Sequence, residues 1–158
     1  NLNTNAAQDD YSSDPPFKST PTATHFEIGN NSRVNTNNKQ YLALLFSSVS
    51  GISKVGSYSG NCADNGTDTQ TITTGFSPRL LIIKNISASD NWFVWDTKRG
   101  FTGSAQTNPF NFLNASNGHM NTYAYADAYP ISTGFVLPAG GAHGSNRQGS
   151  NYIYYAHA

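Results

Sequence analysis

Short apolar runs alternate with polar, turn-forming segments along the chain, and this pattern predicts β-strands rather than helices. In the densest stretch, an apolar run at residues 80–83 is followed by a Ser-, Asp- and Asn-rich segment and then by an aromatic run at residues 92–95. Two such runs around a polar turn predict an antiparallel hairpin. Alternation puts apolar side chains on both faces of its second strand, with Trp92 and Val94 on one face and Phe93 and Trp95 on the other. The hairpin is therefore predicted to lie inside the fold.

The remaining segments after residue 48 also have the character of short strands. Further strands are predicted at residues 54–58, 70–74, 131–137 and 152–156, while residues 102–130 are expected to be rich in loops. No segment shows apolar residues at helical spacing over three turns. Many short strands separated by frequent turns predict an all-β fold, specifically an antiparallel β-sandwich with jelly-roll-like connections.

Three landmarks recur in the same order along the chain, which predicts tandem units. The offsets are nearly constant, and small differences are expected where loops vary in length. The pairs are Leu2 with Leu113 at an offset of 111, Phe26 with Phe135 at 109, and Tyr41 with Tyr152 at 111. Residues 1–48 are therefore predicted to be the C-terminal half of a preceding repeat, packed onto the next, and residues 49–158 a complete β-sandwich repeat.

Composition excludes two classes of partner. Charged residues make up only 11% of the chain, and 9 basic residues balance 9 acidic ones, so the chain lacks the basic field that nucleic-acid binding requires. No apolar run approaches the length of a membrane-spanning helix. Cys62 is the only cysteine, so no disulfide can form within the chain, and we interpret its thiol as incidental.

A series of short motifs covers essentially the whole chain. They are YLA at 41–43 with Phe46, KVGSYSGN at 54–61, GFSP at 75–78, LIIK at 81–84, NW at 91–92, DTKR at 96–99, GF at 134–135 and YIY at 152–154. Together these motifs resemble the repeating signature of a module of tailed-phage tail-fibre and virion structural proteins, particularly from phages of cyanobacteria and other aquatic hosts.

The resemblance implies a β-rich virion module, often present in tandem copies, with no catalytic residues. It also implies a homo-oligomer, usually a trimer, that contacts other virion proteins and is assembled into the virion in the host cytoplasm. The primary hypothesis is therefore a non-enzymatic structural module, a tail fibre or a capsid-decorating head-fibre module, which acts through self-assembly and docking on the particle.

Catalytic and metal-binding interpretations have little support in the sequence. The four histidines (His25, His119, His143 and His157) lie in no recognisable motif, and Glu27 is the only glutamate, so a pair of facing carboxylates is not indicated. We therefore predict a non-enzyme without a cofactor. The loop at residues 64–68 offers several oxygen ligands, and calcium binding and a solvated turn both stay open for it.

The alternative function is recognition of a host receptor or glycan at the virion surface. Aromatic side chains can stack on sugar rings, and Tyr123, Tyr125 and Tyr129 are the preferred ligand-binding residues because their loop context favours exposure. Phe93 and Trp95 are also aromatic candidates. For all of them, the competing interpretation is a role in the core or in a contact between subunits.

Overall fold

The chain divides into two compact units, residues 8–45 and residues 1–7 together with 46–158. A computed structural model of the protein describes residues 4–8, 13–63, 67–103, 108–116, 128–137, 139 and 144–158. The proposed repeat boundary between residues 48 and 49 stays a prediction, since compactness alone does not test it.

The smaller unit is built from turns rather than strands. Its described residues contain one isolated antiparallel bridge, between Phe17 and Ile28. Beside this bridge, the ring of Phe17 packs edge-on against Phe26 with centroids 6.1 Å apart, and the Lys18 N–H donates to the Glu27 carbonyl at 3.1 Å. Further hydrogen bonds join distant parts of the unit, including those from the Gly29 N–H to the Pro16 carbonyl at 2.9 Å and from Asn31 Nδ2 to the Asp14 carbonyl at 2.8 Å.

The larger unit contains the strands. They are β1 Ser53–Ser59, β2 Gln70–Thr73, β3 Leu80–Asn85, β4 Trp92–Asp96, β5 Asn111–Phe112, β6 Tyr129–Ile131, β7 Gly134–Leu137 and β8 Asn151–His157. A single 3-10 turn, Thr97–Arg99, follows β4. The strands form two antiparallel sheets, which confirms the all-β sandwich; the jelly-roll connectivity stays a prediction.

The first sheet has five strands in the order β1-β8-β3-β4-β5. The expected hairpin is confirmed, because β3 pairs antiparallel with β4 and Ile82 lies opposite Val94. Its turn is closed by Asn85, whose Oδ1 accepts hydrogen bonds from the N–H groups of Ser87 and Ala88 at 2.9 and 3.2 Å. The last strand, β8, lies between β1 and β3, so the sheet is completed only by the end of the chain.

The second sheet has three strands in the order β2-β7-β6, and it corrects one expectation. Residues 131–137 were predicted to be a single strand, but the chain turns at Ser132 and Thr133 to form the β6–β7 hairpin. The carbonyl of Thr133 accepts hydrogen bonds from the N–H groups of Thr74 and Gly75 at 2.9 and 3.0 Å. This bonding fixes the turn against the end of β2, which local sequence does not reveal.

The hydrophobic core lies between the two sheets and is largely aromatic. Phe135 of β7 meets Tyr154 of β8 edge-on with ring centroids 5.3 Å apart, which joins one sheet to the other. Phe93 and Trp95 stack 5.6 Å apart on the inner face of β4, and both are buried. The prediction that the hairpin lies inside the fold is confirmed.

Two tyrosines at the end of the core are stacked and bonded to the preceding loop. The rings of Tyr58 and Tyr152 lie 4.9 Å apart and nearly parallel. Their hydroxyls donate to the carbonyls of Ser145 and Gly144 at 2.5 and 2.9 Å. Burial raises the pKa of Tyr58 well above its ordinary value, with a further contribution from the charge of Tyr152, and burial also raises the pKa of Tyr152 and Tyr154.

These pKa shifts predict alkaline destabilisation. Above about pH 10, the ordinary tyrosine pKa, unfolded chains lose tyrosine protons that Tyr58, Tyr152 and Tyr154 retain when folded, so the free energy of unfolding falls as the pH rises. The contribution of these groups is complete below their unfolded pKa and is lost as the pH rises through their folded pKa. Lys84 and Tyr41 act in the opposite direction, because burial lowers the pKa of Lys84 and hydrogen bonds from Thr36 lower the pKa of Tyr41.

Urea unfolding measured at a series of pH values from about 8 to about 12 tests this expectation. Tyr58→Phe should give a shallower loss of stability with pH than the wild type. Tyr41→Phe is the matched control, because hydrogen bonds from Thr36 lower the pKa of Tyr41 and its removal cannot reduce an alkaline loss. Equal slopes for the wild type and Tyr58→Phe would contradict the assignment.

Candidate interaction surface

The outer face of the five-stranded sheet carries exposed apolar side chains at β1 and β8. Register fixes this face, because Val55 lies opposite Tyr155 and Ser57 opposite Ile153, while the intervening residues of β8 point into the core. Val55 and Ile153 are 41% and 39% exposed. Apolar side chains at these positions are unusual for a strand face that meets only water.

The segment leading into β1 enlarges this apolar surface. A tight turn, in which the N–H of Val49 donates to the Ser53 carbonyl at 2.9 Å, places Val49 and Ile52 beside the start of β1, and both are exposed. Phe46 packs on the ring of Tyr155 at 4.7 Å and is itself half exposed. We call the five exposed apolar residues the β1–β8 patch; they are Phe46, Val49, Ile52, Val55 and Ile153.

The free edge of β1 is capped by the preceding segment, so a partner would contact the side chains of the patch rather than pair with the β1 backbone. The hydroxyl of Ser48 accepts from the Val55 N–H at 3.0 Å and donates to the Val55 carbonyl at 3.4 Å. Ser53 also donates its hydroxyl to the Ser47 carbonyl at 2.8 Å. A side chain thus occupies the backbone groups that a further strand would pair with, which protects the edge against strand addition at this point.

The patch carries little charge. Across β1 and β8, Lys54 is the only Lys, Arg, Asp or Glu, and it lies opposite Ala156 on the other face of the sheet. Burying the patch against another protein surface would therefore remove apolar area from water with little desolvation of charge, which is typical of the centre of a protein–protein interface.

The outer face of the neighbouring hairpin is covered by the protein itself. Lys84 of β3 is buried, and its Nζ donates to the carbonyls of Asn85 and Asn5 at 2.6 and 3.4 Å. The Asn5 carbonyl also accepts from the Asp90 N–H at 2.8 Å, and Val94 is only 8% exposed. Burial lowers the pKa of Lys84, while the charge of Asp90 opposes this change. The β1–β8 patch is thus the uncovered part of an otherwise partly covered face.

The aromatic residues considered for sugar binding are placed differently from one another. Phe93 and Trp95 are buried in the core, which confirms the competing interpretation that they are core residues rather than glycan-stacking ones. Tyr129 begins β6 opposite Val136 and is half-buried, so it lies in a strand rather than in the expected loop. Tyr123 and Tyr125 lie outside the described residues. The assignment of Tyr123, Tyr125 and Tyr129 as ligand-binding residues therefore stays a prediction.

The described residues contain no group of three or more His, Cys, Asp or Glu side chains that could hold a metal ion. Of the proposed calcium loop, Asp64, Asn65 and Gly66 lie outside the described residues, and the Asp68 carbonyl accepts a hydrogen bond from Asn146 Nδ2 at 3.4 Å. Cys62 is fully buried.

Comparison with known proteins gives a family but no function. A family model described as "Domain of unknown function (DUF7483)" matches residues 1–158. The chain belongs to this family. Neither a curated protein nor a solved structure matches it. Among the described residues, no helix has the length and apolar character needed to cross a membrane. In this DUF7483 chain, the β1–β8 patch is the candidate interaction surface.

Proposed function

We propose that the chain is a non-enzymatic structural module of a tailed-phage virion that acts through self-association and docking on the particle. The observation that carries this proposal is the β1–β8 patch, an uncharged group of exposed apolar side chains on the outer face of β1 and β8 and in the segment that leads into β1. Groups of exposed apolar side chains often mark interaction sites. The resemblance of the sequence motifs to phage fibre modules supplies the virion context.

A second copy of the chain is the partner that we assign to the patch. Closed symmetry is the usual form of homo-oligomers, and the phage resemblance favours a trimer. A stable interface buries about 1,200–2,000 Å² in total, so the contact would extend from the apolar centre to polar neighbours such as Ser57 and Asn151. Glycan recognition is the less supported function, because Tyr129, the one described tyrosine of that hypothesis, is half-buried in a hairpin.

The double substitution Val55→Lys with Ile153→Lys tests the role of the patch. Both side chains are exposed, so lysine is accommodated in the isolated subunit, but charges in the centre of an apolar contact would be desolvated on association. We expect the dissociation constant of the oligomer to rise at least about 100-fold, as measured by sedimentation equilibrium.

The matched control carries the same two charges on the other sheet. Thr71→Lys with Thr73→Lys changes two exposed positions of the edge strand β2, so it should associate like the wild type. Unchanged association of the Val55/Ile153 variant would contradict the proposal, and so would equal weakening by both double substitutions.

A further inference from the structure

The segment from Tyr41 to Leu45 has the composition of a buried strand, but its side chains are exposed. Leu42, Leu44 and Leu45 are 87%, 55% and 71% exposed. Among the described residues of its own unit, no backbone N–H or C=O group between Gln40 and Leu45 takes part in a hydrogen bond. An apolar stretch with unpaired backbone groups is a template for pairing with another strand.

The turn before this segment has the same geometry as the turn that leads into β8. The Lys39 N–H donates to the Thr36 carbonyl at 3.2 Å, and the Ser150 N–H donates to the Arg147 carbonyl at the same distance. Donor and donor, and acceptor and acceptor, are each separated by the repeat offset of 111. The residue preceding the donor has a positive φ in both turns, 56° at Asn38 and 77° at Gly149. Asn and Gly are the residues that adopt this conformation most readily.

The tyrosine that follows each turn is held in the same way. The hydroxyl of Tyr41 accepts from the Thr36 N–H at 3.0 Å, and the hydroxyl of Tyr152 accepts from the Arg147 N–H at 3.0 Å, so each tyrosine binds the residue five positions before it. Each hydroxyl also donates to a carbonyl further back, at Ser32 and at Gly144. These shared bonds equate Tyr41 with Tyr152, the residue at which β8 enters the sheet.

The position of β8 then defines the partner that the segment requires. β8 is bonded on both sides, to β1 and to β3, and its residues alternate between the core and the outer face. At the repeat offset, Tyr41, Ala43 and Leu45 take the three core-facing positions of β8, while Leu42 and Leu44 take outward ones. Residues 41–45 thus have the apolar pattern and the preceding turn of β8, but among the described residues they have no neighbouring strands equivalent to β1 and β3.

We propose that residues 41–45 are the closing strand of a second module of this fold, inserted antiparallel between that module's equivalents of β1 and β3. The mode of binding is strand addition, in which backbone hydrogen bonds supply affinity and alternate side chains fill the partner's core. In consequence, successive modules share a continuous chain in which the closing strand of one leads into β1 of the next. This linkage does not depend on the number of subunits formed through the β1–β8 patch.

A two-module chimera tests the proposal. Residues 49–112 are placed directly before residue 2, since the repeat aligns Leu2 with Leu113, and the rest of the 158-residue chain is kept intact. In the chimera, we expect the amide hydrogens of residues 42–45 to exchange at least about 100-fold more slowly than in the 158-residue chain, because a closed central strand opens only with its module. The β8 amides of the same molecule should be protected in both proteins, which verifies that the second module is folded.

Three variants of the chimera make the result specific. Ala43→Asp puts a charge at a core-facing position and should abolish the protection, whereas Leu42→Thr changes an outward position and should keep it. Ala43→Tyr with Leu45→Ala gives residues 43 and 45 the side chains that β8 has at Tyr154 and Ala156. This variant serves as a second test if the core of the first module packs poorly in the parent chimera. The proposal is overturned if both the parent chimera and this restored variant leave residues 42–45 unprotected, or if Ala43→Asp is protected as well as Leu42→Thr.

The 158-residue chain supplies the remaining arm of the test. Its residues 42–45 should exchange rapidly at every protein concentration, because β8 already fills the space between β1 and β3. Protection that grows with concentration in this chain would show pairing between free segments of two copies and would contradict the closing-strand proposal. The readout is separate from the oligomer mass, so failure of the self-association proposal would leave this result unaffected.

Discussion

Replacing Trp95 by alanine is expected to lower the free energy of unfolding by about 3–5 kcal/mol. Trp95 is fully buried and packs against the rings of Phe93, Phe101 and Phe110, with centroids 5.6, 6.4 and 5.9 Å away. Removal of the indole would leave a cavity among rigid rings that cannot collapse to fill it. Urea unfolding followed by circular dichroism gives the change in free energy.

Leu113→Ala is the control for this substitution. Leu113 follows β5 and is half exposed, so truncating it removes little buried surface and should change the stability by no more than about 0.5 kcal/mol. If Trp95→Ala were as stable as Leu113→Ala, the core could not be centred on the β3–β4 hairpin.

The substitution Gly134→Ala is expected to cost at least about 3 kcal/mol, at the upper end of the range for overpacked sites. A Cβ atom at this position would lie 2.0 Å from the Ile72 carbonyl oxygen and 3.0 Å from its carbon. The clashing atoms belong to the backbone of β2, so the strand itself has to move away from β7. Loss of amide protection along β2 should accompany the loss of stability.

Gly103→Ala is the matched substitution for this test. Among the described residues, its added Cβ would meet the Pro130 carbonyl oxygen alone, at 3.5 Å, which is an ordinary contact distance, so a change within about 0.5 kcal/mol is expected. Similar stabilities for the two alanine variants would mean that β2 and β7 are not as closely paired as described.

The sequence predicted those strands that are defined by a local pattern of apolar runs and turn-forming residues. The β3–β4 hairpin was found because an apolar run and an aromatic run enclose Asn85, Asp90 and other turn-forming residues. The β6–β7 hairpin was missed because Ser132 and Thr133 lack the glycine or asparagine that usually marks a two-residue turn. That turn is set by bonds to the end of β2, a segment distant in sequence.

The candidate surface could not be predicted in the same way. Val55 and Ile153 look like core positions in the sequence, because an apolar residue in a strand is normally buried. The register between β1 and β8 turns both side chains to the outer face of the sheet. On that face, Asn5 contacts the β3–β4 hairpin and leaves β1 and β8 uncovered. Tyr129 shows the opposite error, since a residue expected in a loop lies in a strand. Exposure therefore depended on long-range pairing, which local patterns do not encode.

The turn before residues 41–45 was recognisable from sequence only through the tyrosine that recurs at Tyr41 and Tyr152. The structure adds the positive φ at Asn38 and Gly149 and the hydroxyl bonds of Tyr41 and Tyr152, which are similar although the residues around them differ. A common backbone geometry with different side chains is what a diverged repeat is expected to retain. The local turn, more than residue identity, therefore supports the equivalence of the two segments.

Self-association of the 158-residue chain is measured by its molar mass in solution. Light scattering coupled to size-exclusion chromatography, repeated over a wide range of concentrations, should give the mass of a closed oligomer, with three subunits as the expected number. Loss of that mass in the Val55→Lys with Ile153→Lys variant would assign the contact to the β1–β8 patch. A folded protein that keeps the 17.0 kDa mass of a single chain at every concentration would contradict the claim.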